Sequence, residues 1–176
     1  MSKRYSIKNL SSYVLLLFIS TLFFSGGEAR SSDDAASRRS LSGIKGVSVK
    51  IEQINPEIEN DGLKAATIRS DAEGLLKGLG IKVLSTGESL EEPGEPTLHI
   101  NPHILKLRAS NEYIYSIDVA FRQNAYLSRA PIEVLGAATW SPGLVTGITY
   151  DLGKIRDSIK AQVQRFAEAF RSANPK

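Results

Sequence analysis

YIYSIDVAFRQNAYL, residues 113–127, is the longest strand-like run in the chain. Tyr113, Tyr115, Ile117, Val119 and Phe121 fall on one side at period two. Ile114, Ser116, Asp118, Ala120, Arg122 and Asn124 fall on the other, mostly polar side. That alternation predicts a strand with one face on a core and one nearer water. Such a strand needs a covering layer, and the C-terminus offers one. Leu152, Ile155, Ile159, Val163, Phe166 and Phe170 recur at spacings of three and four, with charged residues between them. This predicts an amphipathic helix capped by Asp151 and running to about Ser172, where Arg171 suits the helix dipole.

Working outward, Leu98 to Leu107 reads as a strand interrupted at Asn101-Pro102, which points to a bulge or an edge position. With a turn at Ala109–Glu112 it should form an antiparallel hairpin with the central strand. Ile132 to Ser141 is a further strand, and Ser141 to Thr149 is a glycine-bearing loop with exposed-looking Leu144, Val145 and Ile148. Upstream, Val47, Val49 and Ile51 mark a first strand, about Lys45 to Ile54, ended by Asn55-Pro56. Asn60 or Asp61 is the expected cap of a helix reaching about Lys77, closed by Gly78 and Gly80. Ile81 and Val83 read as a short strand, and Ser85 to Pro96 as a solvated turn. The order β-α-β-β-β-β-α predicts an α+β two-layer sandwich: a mainly antiparallel sheet of about five strands with two helices on one face.

The N-terminus reads as an export signal. Lys3, Arg4 and Lys8 precede the apolar run Val14 to Phe24, and Gly27-Glu28-Ala29 places small residues at a signal peptidase exit. Eleven residues rise about 16 Å as a helix, against roughly 30 Å of hydrocarbon, so cleavage near Ala29 is expected rather than a lasting membrane span. Arg30 to Ser42 should then be a flexible lead-in to a single domain over residues 43–176. Of 22 basic and 19 acidic residues, Lys3, Arg4, Lys8 and Glu28 lie in the leader, leaving 19 and 18, a balance of +1. No basic stripe argues for nucleic acid. The chain has no cysteine, which removes disulfides, a thiol nucleophile and a lipid-attachment site. An exported chain with neither cysteines nor an Asn-x-Ser/Thr site beyond its leader fits the periplasm of a Gram-negative bacterium.

No reactive constellation stands out. His99 and His103 would share a strand face about 13 Å apart, too far to bind one metal at roughly 2 Å. There is no Gly-x-Ser-x-Gly elbow, and the glycines at 74, 78 and 80 follow a helix rather than opening one. Asp118 and Glu133 could pair as carboxylates on neighbouring strands, but an ordinary charged pairing of Asp118 is the simpler reading. No enzyme activity, cofactor or metal is expected. Tyr113, Tyr115, Tyr126, Trp140 and Tyr150 are mostly core aromatics, with Tyr126 and Trp140 near strand ends as exceptions.

The motifs YIYSIDVAFRQ, ATW and KIRDSIKAQVQRFAEAF closing on ANPK span roughly the last 65 residues. In these the chain resembles an uncharacterised family of small exported, periplasmic bacterial proteins, and the resemblance imports no activity. In strand and helix order the chain also looks like the small α+β domains of envelope-assembly proteins, such as those of the Tol and curli-secretion systems. The resulting expectation is a non-catalytic module that binds another envelope protein, with Leu144, Val145, Ile148, Tyr126 and Trp140 as contact residues. The competing expectation is a carrier of a small apolar ligand or lipid in a cavity between sheet and helices.

Overall fold

The computed structural model describes residues 32–175; the expected leader, Met1 to Ala29, lies outside them. The protein is an α+β sandwich built on a five-stranded, mostly antiparallel sheet. In chain order the elements are α1 (Ala35–Arg39), β1 (Ser48–Ile51), α2 (Pro56–Asn60), α3 (Ala65–Gly78) and α4 (Thr86–Glu91). They continue as β2 (Thr97–Leu107), β3 (Glu112–Tyr126), β4 (Glu133–Trp140), β5 (Val145–Thr149) and α5 (Leu152–Ala173).

β3 is the axis of the sheet. Along one side it pairs antiparallel with all of β2, from Leu107↔Glu112 to Thr97↔Arg122. Along the other it takes two short partners in succession: β5 opposite Tyr113–Ile117 and β4 opposite Phe121–Tyr126. β1 completes the sheet, parallel to the start of β2. The alternation along β3 places Ile117, Val119 and Phe121 in the core with no exposure. Across from them lies the apolar face of α5, where Phe166 stacks on Phe121 at 5.7 Å and meets Trp140 edge-on at 5.5 Å. α3 packs beside α5, contributing Ile68, Ala72 and Leu76. No described helix is long and apolar enough to cross a membrane.

Several elements differ from the sequence expectation. Residues 32–42 are not a loose lead-in: they carry α1, and Leu41 is 0% exposed in the core. The expected helix from Asn60 is two helices. Asn55 caps α2 with Pro56 at its first position, and Glu59 then accepts from the Ala65 N–H at 3.0 Å to begin α3. Asp61 starts no helix: its backbone is the C-cap of α2, and its side chain accepts from Lys106 and Tyr113, each at 2.8 Å. Val83 makes a single parallel bridge to Val47 instead of a strand. The turn after Ser85 holds α4, opened by reciprocal Ser85–Glu88 bonds that the sequence Ser-x-x-Glu encodes. Pro102 does not break β2. It lies past the last residue of β1, and strand alternation from the Ile100 carbonyl, which serves β1, turns its missing N–H to the open edge.

Candidate functional site

The helices α3 and α5 cover one face of the sheet, and the other is partly bare. On this outer face three apolar side chains line up in register across three strands: Leu105 of β2, Ile114 of β3 and Ile148 of β5. All three are exposed. The next row in register is His103, Ser116 and Thr146. Together with Gln53 and Asn55 from the chain after β1, these rows line an open groove of about 650 Å³. The alternation of β3 puts them there: the same period that buries Ile117 turns Ile114 and Ser116 outward.

Beyond the groove the outer face is polar and covered. α4 and the loop after it lie over the start of β2, where Ser89 is buried and bonds to the Pro96 carbonyl at 3.2 Å. Gly94 in this loop, at φ +84°, offers its carbonyl to the Asn124 N–H at 2.6 Å. His99 is buried nearby and its Nε2 is 2.7 Å from Glu52 Oε1. That contact, with Lys50 beside it, holds the Glu52 carboxyl below its ordinary range. His99 Nδ1 and Arg122 Nε are buried with no hydrogen-bond partner among the described residues. An imidazole oriented by a carboxylate is the arrangement a general base uses; here the His99 ring is buried while its Glu52 partner is part-exposed. Asp118 lies opposite Asn101 and Glu133 opposite Tyr126, roughly 26 Å apart along β3, so the two carboxylates do not converge.

Behind the groove, Tyr115 turns inward and crosses the backbone of Gly147. A Cβ on Gly147 would lie 2.6 Å from the Tyr115 hydroxyl. The tyrosine thus covers the glycine and joins β5 to the core edge. At the hairpin end of β3, Asp61 gathers the Lys106 ammonium and the Tyr113 hydroxyl. Their hydrogen bonds, Lys106 first, hold its carboxyl below the usual range, while burial and then Asp61 push the Tyr113 phenol up.

The expected contact residues separate into three places. Leu144 and Ile148 are exposed together at β5, and Ile148 lines the groove; Val145, between them, turns inward against the core. Tyr126 is exposed at the far end of β3, roughly 40 Å from Ile114 along the strand, near Ile132 and Leu135. Trp140 is 1% exposed, and its indole N–H donates to Asp33 at 2.9 Å, so it belongs to the core and offers no contact surface. Sequence reading missed Leu105 and Ile114. Their signal was present, as isolated apolar residues on the polar side of two paired strands, but it is visible only once the register is known.

The fold and this groove define a class, a two-layer α+β sandwich with an uncovered patch on the outer face of its sheet. No family model matches the chain, and no curated protein and no solved structure matches it.

Proposed function

We propose that this is a non-catalytic exported domain that binds another envelope protein through the outer face of its sheet. The observation that carries the reading is the row Leu105–Ile114–Ile148, apolar, exposed and in register over a groove of about 650 Å³. Exposed apolar groups contiguous across strands and rimmed by polar ones mark surfaces that another molecule covers. The rim here is Gln53, Asn55, His103, Ser116 and Thr146, which can hydrogen-bond without adding a net charge of fixed sign. A periplasmic location follows from the basic, apolar and small-residue order of residues 3–29.

The competing carrier reading needs space between sheet and helices. Phe121, Phe166 and Trp140 fill the centre of that layer. Close packing of this kind favours the surface reading.

A photoreactive side chain at Ile114 in the full chain, illuminated in whole cells of the native host, tests the proposal. The expected product is one discrete adduct of higher mass, containing a second envelope protein and lost when Leu105→Asp is added. Absence of any adduct at Ile114, with the chain folded and exported, removes the proposal. An adduct whose added mass is a lipid supports the carrier reading instead.

A further inference from the structure

β5 differs from the other strand edges. β1 is flanked by Val83 at Val47 and carries Lys50 in its middle. β2 beyond β1 has Pro102 on its open side, and Lys106 there is held by Asp61. β4 has bulged pairing, Gly136 at φ +61° and a bridge from Ser32 to Ser141. β5, with sequence Val-Thr-Gly-Ile-Thr, has no charge, no proline and no bulge, and no described residue pairs with its outer side. Natural edge strands normally carry one of those devices against pairing with another chain.

We infer that β5 pairs antiparallel with β5 of a second copy of this chain, about a two-fold axis at Gly147. The register follows from the side chains. Leu144, Ile148 and Tyr150 share the outer face at period two and are 46%, 62% and 69% exposed. Pairing Gly147 with its own copy sets Leu144 opposite Tyr150 and Ile148 opposite Thr146, so each exposed apolar group gains a cross-strand neighbour. A two-fold interface uses one patch twice and must complement itself, which this strand does. A foreign strand would have to supply matching residues; a second copy already has them. Both carboxylates beside this strand already have partners: Asp151 is engaged at the start of α5 by the Gly153 N–H at 2.7 Å, and Glu112, beside the Tyr150 hydroxyl, accepts from Ser110 Oγ at 2.7 Å.

The axis stands perpendicular to the sheet, so both outer faces lie on the same side. The pair presents two grooves side by side, which multiplies binding to any repeated or surface-bound partner. Five residues per copy cover less than the roughly 1,200 Å² of a standard stable interface, so the dimer forms in a concentration-dependent way.

The chain has no cysteine, so introduced thiols read the register cleanly. Thr146→Cys with Ile148→Cys should give a disulfide-linked dimer under mild oxidation, whereas Leu135→Cys on β4 should not. By sedimentation, the full chain should double in mass with rising concentration. Ile148→Lys should weaken that association about tenfold or more, with an unchanged circular dichroism spectrum. A chain that stays monomeric at millimolar concentration overturns the pairing. So does a dimer that ignores Ile148→Lys and leaves the thiol pair unlinked. A monomer that still cross-links at Ile114 removes the pairing and leaves the groove reading standing.

Discussion

Asp33 accepts the indole N–H of Trp140 at 2.9 Å, joining the first described turn of the chain to the end of β4. The same carboxylate receives Arg38 Nε and Nη2 at 2.6 and 3.1 Å, and Arg165 of α5 stands 3.7 Å away. Its side chain is only 11% exposed. Arg38 first, and then Trp140, hold its carboxyl below the usual range. Asp33→Ala leaves a buried indole donor without its acceptor. The expected cost is about 1–3 kcal/mol of stability, read by denaturant unfolding. Trp140 is the only tryptophan, so its fluorescence should shift in the variant. Trp140→Phe should lower the cost of Asp33→Ala, because the orphaned donor is then gone.

Leu41 follows α1 and sits fully inside the core. Asn174 at the end of α5 donates to its carbonyl at 2.8 Å and accepts from the Gly43 N–H at the same distance. Leu41→Ala should therefore cost about 2–5 kcal/mol, the range for truncating a buried leucine. If thermal unfolding of this variant matched the parent, the segment before β1 would be an ornament rather than part of the fold.

The ion pairs set the acid response. Asp33, Asp61 and Asp71 all have carboxyls held low, in each case chiefly by a hydrogen bond from a basic partner: Arg38, Lys106 and Arg156. A carboxyl with a folded pKa below its unfolded value, about 3.9, stabilises the fold fully above that value. The contribution is lost as pH falls through the folded pKa. Stability measured by urea titration should thus be flat in this respect above about pH 5 and should fall below about pH 4. Asp71→Asn should flatten that fall, since it removes the Arg156 pair at 2.5 Å.

Gly147 and Tyr115 are coupled by contact. Gly147→Ala forces the tyrosine ring off the strand, and the expected loss is about 1–3 kcal/mol. In a Tyr115→Ala background the same change should cost much less. A double-mutant cycle by thermal denaturation measures the difference, and additive effects would show that the ring does not lie over the glycine in solution.

Much of the architecture was readable from local pattern. The strand β3 and the long helix α5 each run for three or more periods of a clear repeat, and both lie within a residue or two of their expected ends. Two of the differences came from signals that were legible but unused. Asn55-Pro56 is a helix start as much as a strand end, and Ser85-x-x-Glu88 is a capping box. The candidate groove was half visible: Ile148 stood out in an apolar loop, while Ile114 and Leu105 looked like lone exceptions on polar faces.

The order of residues along the chain was enough to specify that a long strand would lie under an amphipathic helix, because periodicity is a property of consecutive residues. It could not specify that Val145–Thr149 is a strand at all. Five residues with a central glycine carry no period of their own, and they become β5 because Tyr113–Ile117 would otherwise leave an unpaired edge. Nor could it place Asp33 against Trp140. That contact joins groups 107 positions apart, and it exists because a buried indole N–H needs an acceptor that the folded chain brings to it.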